Sequence, residues 1–208
     1  MTNGGSGQVN NDSNKDLDIH SIEERWQDFW EKEEIYRFDP ESEKKPFTID
    51  NPPRYASGPL HAGHAVHYTH IDFVARYKRM RGYNVMFPLC FDVNGMPIEV
   101  RVEKKYGIKM REYDRHEFIE LCEKFANSNI DEMKRQFKIF GESMDPSVYY
   151  QTDAKYYRRL TQISFLRLFD KGRIYKANHP VNWCPRCGTA LAESEVEYRD
   201  NVTKLNSI

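Results

Sequence analysis

Apolar residues Ile19, Ile22, Trp26, Phe29 and Trp30 recur at spacings of three and four, the period of a helix with one apolar face. Ahead of them, residues 1–16 are rich in Gly, Asn, Ser and Asp and nearly free of large apolar groups, which predicts a disordered tail. A polar stretch over 39–45 leads into Phe47-Thr48-Ile49, a short apolar run that reads as a buried strand over 47–50. A loop with Pro52, Pro53, Gly58 and Pro59 follows. Helical spacing resumes at Val66, Phe73, Tyr77 and Met80, the expected buried face of a second helix that Gly82 ends. Residues 84–90, N-V-M-F-P-L-C, read as a second buried strand with Pro88 near its end.

Strand, helix, strand predicts a parallel pair with a right-handed crossover, and so an α/β fold. In such sheets ligands sit beyond the carboxyl ends of the strands. The loops at 51–60 and 90–97 are therefore expected side by side. A long helix is predicted from Arg115 to Phe140, with Phe118, Leu121, Cys122, Phe125, Met133, Phe137 and Phe140 on one side and Gly141 as its stop. Another is expected from Ala154 to Lys171, through Tyr157, Leu160, Ser164 and Leu168, closed by Gly172. From Arg173 the character changes. I-Y-K, V-N-W-C and E-V-E-Y read as short strands around C-P-R-C-G, which sets a domain boundary near 172 and a small segment over 173–208.

Composition narrows the class. The 208 residues are 39% hydrophobic and 30% charged, with no long uninterrupted apolar run to span a membrane. The N-terminus lacks the basic-then-apolar layout of a secretory signal. A net charge of −1 gives no bulk attraction to nucleic acid. Cys90, Cys122, Cys184 and Cys187 are too few and too unevenly spread for a disulfide scaffold. A reducing cytoplasm is the expected home.

The candidate chemistry concentrates at 49–64, I-D-N-P-P-R-Y-A-S-G-P-L-H-A-G-H. A strand handing over to a helix N-terminus presents unpaired N–H groups and a positive partial charge, which suits a nucleotide phosphate. His61 and His64 add directed donors there, and Gly63 permits a close approach to the backbone. The alternative is a helix that merely contains histidines; the Pro-Pro and Ser-Gly just upstream favour phosphate. His67 and His70 continue the spacing of three, but each such step falls about 60° short of a full helical turn. The four imidazoles therefore spiral apart and do not enclose one metal ion.

Asp92, at the exit of the second strand, suits an ammonium group, a turn residue being its plainer alternative. A calcium loop in F-D-V-N-G-M-P-I-E is excluded because Pro97 occupies the position where the sharp turn requires Gly. Cys184 and Cys187 have the spacing of half a zinc knuckle, favoured over a redox dithiol, with His179 nearby and no Cys or His after Cys187. Tyr55, with the prolines, is the expected wall of a small apolar pocket, and Phe87 is expected in the core. Arg76, Lys78, Arg79 and Arg81 read as a solvated basic helix end.

P-P-R-Y-A-S-G-P-L-H-A-G-H resembles the first signature of class I aminoacyl-tRNA synthetases, with Ala62 where H-I-G-H has isoleucine. A-R-Y-K-R-M-R-G-Y-N-V and F-D-V-N-G-M-P-I-E resemble the valine, isoleucine and leucine subgroup. C-F-D-V-N-G and V-N-W-C-P-R-C-G-T-A-L-A-E-S-E-V-E-Y are most similar to archaeal-type valyl-tRNA synthetases. The resemblance runs from Ile19 to the end. It implies the first half of a Rossmann-like parallel-sheet catalytic domain over 17–172, then half a zinc ribbon and the start of a connective editing insertion over 173–208. It implies ATP-dependent activation of valine to valyl-adenylate and transfer to tRNA(Val), by a cytoplasmic monomer, with Mg2+ accompanying ATP. His61 and His64 would be catalytic. Ser57, Gly58, His61, Gly63 and His64 would bind ATP, and Pro53, Tyr55 and Asp92 the amino acid. Cys184 and Cys187 would hold Zn2+ in a half site.

The family's second ATP motif, K-M-S-K-S, does not occur in this sequence. The resemblance therefore implies an N-terminal piece, inactive alone. A hydrophobic pocket separates near-isosteric amino acids only about 100-fold, so rejecting threonine would need the editing insertion. The alternatives are an isoleucyl- or leucyl-tRNA synthetase piece, a non-catalytic nucleotide- or RNA-binding paralogue, and a free-standing nucleotidyl transferase of the same fold.

Overall fold

Three stretches of chain run side by side. β1 (Pro46–Thr48) pairs in parallel with β3 (Asn84–Met86). β2 (Arg54–Tyr55) pairs in parallel with β4 (Pro88–Asp92), and β4 pairs in parallel on its other side with β5 (Asp145–Gln151). β4 is thus the middle strand of the three-stranded sheet β2-β4-β5, and β1 and β3 form a two-stranded sheet. The computed structural model describes residues 18–202, so the tail expected over 1–16 lies outside the described residues. The chain divides into two compact units, one up to Thr161 and one from Gln162.

The predicted strand at 84–90 is two strands. They are interrupted at Phe87, and Pro88 opens the second, where the pairing with β5 shifts register. Proline has no N–H to give a ladder, so a mid-sheet proline belongs at such an irregularity. Phe87 is fully buried, as expected, and its carbonyl accepts the Asp145 N–H at 2.8 Å, so the break costs no hydrogen bond there.

Helix α1 (Ile19–Lys32) is capped by Asp18, whose carboxylate accepts the Ser21 N–H at 3.3 Å. Helix α2 (Ala62–Met80) links β2 to β3. Helix α3 (Met96–Tyr106) follows β4, and α4 (Arg115–Phe140) follows a single 3-10 turn. Asp114 caps α4, and Gly141 ends it at φ 70°, a left-handed conformation that glycine adopts without penalty. The observed ends of α4 match those predicted. The core of the first unit gathers Phe87 and Phe91 from the sheet, Ile98 and Val102 from α3, and Phe118, Ala126, Ile130, Met133 and Phe137 from α4.

Three expectations are corrected. Val66, Phe73, Tyr77 and Met80 are 57, 63, 53 and 80% exposed; the buried side of α2 carries Tyr68, Asp72 and Ala75 instead. Phe140, expected on the buried face of α4, is 44% exposed in the last turn of the helix. The basic cluster is not a solvated helix end throughout. Arg76 Nε donates to Asp72 Oδ2 at 2.6 Å, and its Nη1 donates to the Tyr36 hydroxyl at 3.0 Å. Arg79 Nη2 donates to the Ser143 carbonyl at 2.9 Å, and Asp72 Oδ1 accepts the Ser143 N–H at 2.9 Å. These bonds tie α2 to the turn between α4 and β5; Arg81 is the exposed member.

In the second unit, β6 (Trp183–Cys184) and β7 (Thr189–Ala190) form an antiparallel hairpin. Helix α5 (Lys155–Asp170) runs across the division between units and has no buried residue; Leu160, on its expected apolar face, is 62% exposed. Among the described residues no helix is long and apolar enough to cross a membrane.

Candidate functional site

The loop between β2 and α2 meets the exit of β4. Tyr55 lies opposite Asp92 in the parallel register, and the Ala56 N–H donates to the Asp92 carbonyl at 2.8 Å. The Tyr55 hydroxyl donates to the Gly95 carbonyl at 3.2 Å. Gly95 has φ 115°, a backbone conformation that favours glycine, and a Cβ there would sit 3.3 Å from that hydroxyl. The loops at 51–60 and 90–97 are therefore neighbours, as the topology predicts.

His61 is the residue preceding the first turn of α2, and His64 lies one turn on. The His61 N–H donates to His64 Nδ1 at 3.2 Å, a bond that satisfies one donor at the helix start. Because Nδ1 is the acceptor, the neutral imidazole of His64 carries its proton on Nε2 and offers it as a donor. Burial, then the charges of Arg54, His61 and His67, hold the His64 pKa below the ordinary value of 6.5. The two rings lie against each other with centroids 3.7 Å apart and planes tilted by 33°. A Cβ on Gly63 would meet His61 Cε1 at 3.1 Å and Nδ1 at 3.2 Å. In this structure the group that closes on the Gly63 backbone is thus the His61 ring itself.

Two side chains of α4 anchor the loop. Gln136 Oε1 accepts the Leu60 N–H at 2.7 Å, and Asn129 Nδ2 donates to the Ala56 carbonyl at 3.1 Å. Ser57 and Gly58 between these anchors, and Pro53 before them, are half-buried. His67 Nε2 lies 3.3 Å from Asn51 Oδ1 and bears on His64 through its charge, and His70 is exposed.

Asp92 is half-buried at the end of β4. Its Oδ1 accepts from the Thr152 hydroxyl at 2.9 Å and from the Asn94 N–H at 3.3 Å. The Thr152 oxygen in turn accepts from the Val93 N–H at 3.0 Å and Asn94 Nδ2 at 2.9 Å. Thr152 thus fixes the carboxylate from the end of β5. Gln136, Asn129 and Thr152 carry no signal in the sequence, because helix and strand ends far from the motif supply them.

Arg54 and Arg101 complete the surroundings. Arg54 Nε is shielded from solvent and has no hydrogen-bond partner among the described residues. Burial, helped by the charge of Arg101, draws the Arg54 pKa below its ordinary value. Arg101, on α3, places a guanidinium nitrogen 3.6 Å from where a Gly58 Cβ would stand. A cavity of about 790 Å3 lies elsewhere, lined by Trp30, Tyr36, Lys134, Phe137, Met144 and Tyr149, and no candidate site residue borders it.

In the second unit, the Cys187 N–H lies 3.5 Å from Cys184 Sγ, and this backbone bond lowers the Cys184 pKa. Gly188, at φ 69°, turns the chain so that its N–H reaches the Cys184 carbonyl at 2.8 Å. A tetrahedral zinc site takes four ligands. Among the described residues no group of three or more His, Cys, Asp or Glu side chains is placed to hold a metal.

The sequence matches the family described as tRNA synthetases class I (I, L, M and V) over residues 25–205. It is 48% identical over 194 residues to the valine–tRNA ligase of Methanocaldococcus jannaschii, covering 93% of this chain and 22% of that protein. It is 50% identical over 194 residues to the valine–tRNA ligase of Archaeoglobus fulgidus, with the same coverage. A crystal structure of a ternary LeuRS-tRNA-LeuAMS complex from Agrobacterium radiobacter superposes with a TM-score of 0.74 at 32% identity, over 87% of this chain and 21% of that one. The chain thus spans about a fifth of the length of the relatives it matches.

Proposed function

Because the chain belongs to the class I tRNA synthetases of the isoleucine, leucine, methionine and valine group, we infer that it carries the first half of a centre that activates valine for transfer to tRNA(Val). The observation that carries this reading is the meeting of two strand exits. The β2–α2 loop and Asp92 share one end of the sheet, joined by the Ala56–Asp92 bond at 2.8 Å.

In the proposed reaction the carboxylate of valine attacks the α-phosphate of ATP in line, and pyrophosphate leaves with the electrons of the broken P–O bond. The valyl group then passes from the adenylate to the 3′ end of tRNA. His64 donates through Nε2–H to a phosphate oxygen, and His61 and the first turn of α2 add positive potential as charge builds there. Gly63 keeps the His61 ring seated on the backbone. Ser57 and Gly58 flank the nucleotide. Asp92, steadied by Thr152, pairs with the substrate ammonium, and Pro53 and Tyr55 form the wall against its side chain. Mg2+ accompanies ATP as part of that substrate. Cys184 and Cys187 are read as two of four zinc ligands, and no step of the reaction passes through them.

The identities of 48 and 50% to valine–tRNA ligases support valine over leucine and isoleucine. Titration calorimetry of the chain with valine, isoleucine, leucine and threonine in the presence of ATP tests the choice. Valine should bind more tightly than isoleucine and leucine, and within about 100-fold of threonine, because one pocket separates isosteres poorly. Preference for leucine or isoleucine would reject the valine assignment.

A further inference from the structure

Arg54 and Arg101 have no role in the reading above, and Arg54 Nε is buried without a hydrogen-bond partner among the described residues. Arg54 comes from β2, one residue before the Tyr55–Asp92 pairing; Arg101 comes from α3 and places a guanidinium nitrogen 3.6 Å from where a Gly58 Cβ would stand. Two guanidinium groups that repel each other, one of them half-buried with its Nε shielded and unpaired, are costly unless something negative joins them. No carboxylate of the described residues does so. Arg54 also stands close enough to His64 for its charge to act on that imidazole. The uncompensated positive charge therefore sits beside the helix end already read as the phosphate site.

We propose that Arg54 and Arg101 clasp the phosphate tail of the bound nucleotide, the part that leaves as pyrophosphate. A guanidinium presents paired donors matched to phosphate oxygens, and a polyphosphate between two such groups removes their mutual repulsion. This rests on the activation reading for the identity of the ligand, but the charge geometry stands apart from it.

Inorganic pyrophosphate is the probe, titrated calorimetrically into the 208-residue chain, with circular dichroism and thermal melting as controls. Arg54→Gln and Arg101→Gln should each weaken pyrophosphate binding about ten-fold, and Arg54→Lys should recover part of the loss. The melting temperature of Arg54→Gln should equal or exceed that of the parent, because an unpaired half-buried cation has been removed. A lowered melting temperature with unchanged affinity would mark Arg54 as merely structural and overturn the proposal. Should Arg54→Gln misfold, the exposed Arg101→Gln decides alone. Absence of pyrophosphate binding by the parent chain also overturns it. ATP binding insensitive to both arginines removes the clasp and spares the activation reading. Pyrophosphate binding that needs both arginines, in a chain that binds no ATP, keeps the clasp and removes that reading.

Discussion

At the scale of single residues, the geometry of His61, Gly63 and His64 makes two predictions. Gly63→Ala places a methyl 3.1 Å from His61 Cε1, so the ring must move by a few tenths of an ångström. ATP affinity, read by calorimetry, should fall several-fold while the melting temperature holds, since alanine favours a helix over glycine by up to about 1 kcal/mol. The second prediction concerns protonation. A His64 pKa below 6.5 means that the unfolded chain takes up this proton more readily than the folded one. The contribution of His64 to stability is therefore full above pH 6.5 and is lost as pH falls through the lower folded value. Protonating Nδ1 also removes the acceptor of the His61 N–H. The NMR titration of the His64 ring should have a midpoint under 6.5, and a midpoint at or above it would contradict the arrangement. The motif was legible because its chemistry is local. The supporting residues Gln136, Asn129 and Thr152 were not, because their partners lie 76, 73 and 60 residues away.

At the scale of elements, α2 and α4 hold the loop, and each can be perturbed. Gln136→Ala leaves the Leu60 N–H without its 2.7 Å acceptor, in a part-buried position. Stability should fall by about 1–2 kcal/mol, read by denaturant unfolding, with weaker ATP binding as the loop loosens. Farther along α2, burial first and Asp72 second raise the Glu142 pKa to about 7, and its Oε2 is buried without a hydrogen-bond partner among the described residues. A folded pKa above the ordinary 4.5 means that stability is greatest below 4.5 and declines as pH rises toward about 7. Glu142→Gln should abolish that decline and raise the melting temperature at pH 8 by about 2–4 °C. The same network explains why the buried face of α2 was misread from apolar periodicity. That face is built on Tyr68, Asp72 and Ala75, with Asp72 paired to Arg76, while the regular apolar row lies exposed. α3 was missed although Pro97 in its first turn and the Ile98–Val102 spacing mark a helix. Pro146 obscured β5, where Val148, Tyr149 and Tyr150 supply the strand character.

At the scale of the molecule, the parallel order of β2, β4 and β5 does the assembling. It brings a helix tip, a carboxylate and two arginines from separate stretches of sequence to one end of a sheet. Strand-helix-strand order made that convergence legible, whereas the break at Phe87 and the register shift at Pro88 depend on how the strands pack. The most direct test is the affinity of the chain for a non-hydrolysable valyl-adenylate analogue, compared between the parent and Asp92→Asn. Asparagine keeps one oxygen acceptor for Thr152, removes the charge and replaces the other oxygen with an amide donor. The analogue should bind the parent and lose about ten-fold or more in the variant, while a form lacking the amine binds both equally. No binding by the parent, or an affinity for the amine-bearing analogue that Asp92→Asn leaves unchanged, would contradict an amino-acid-activating centre at this end of the sheet.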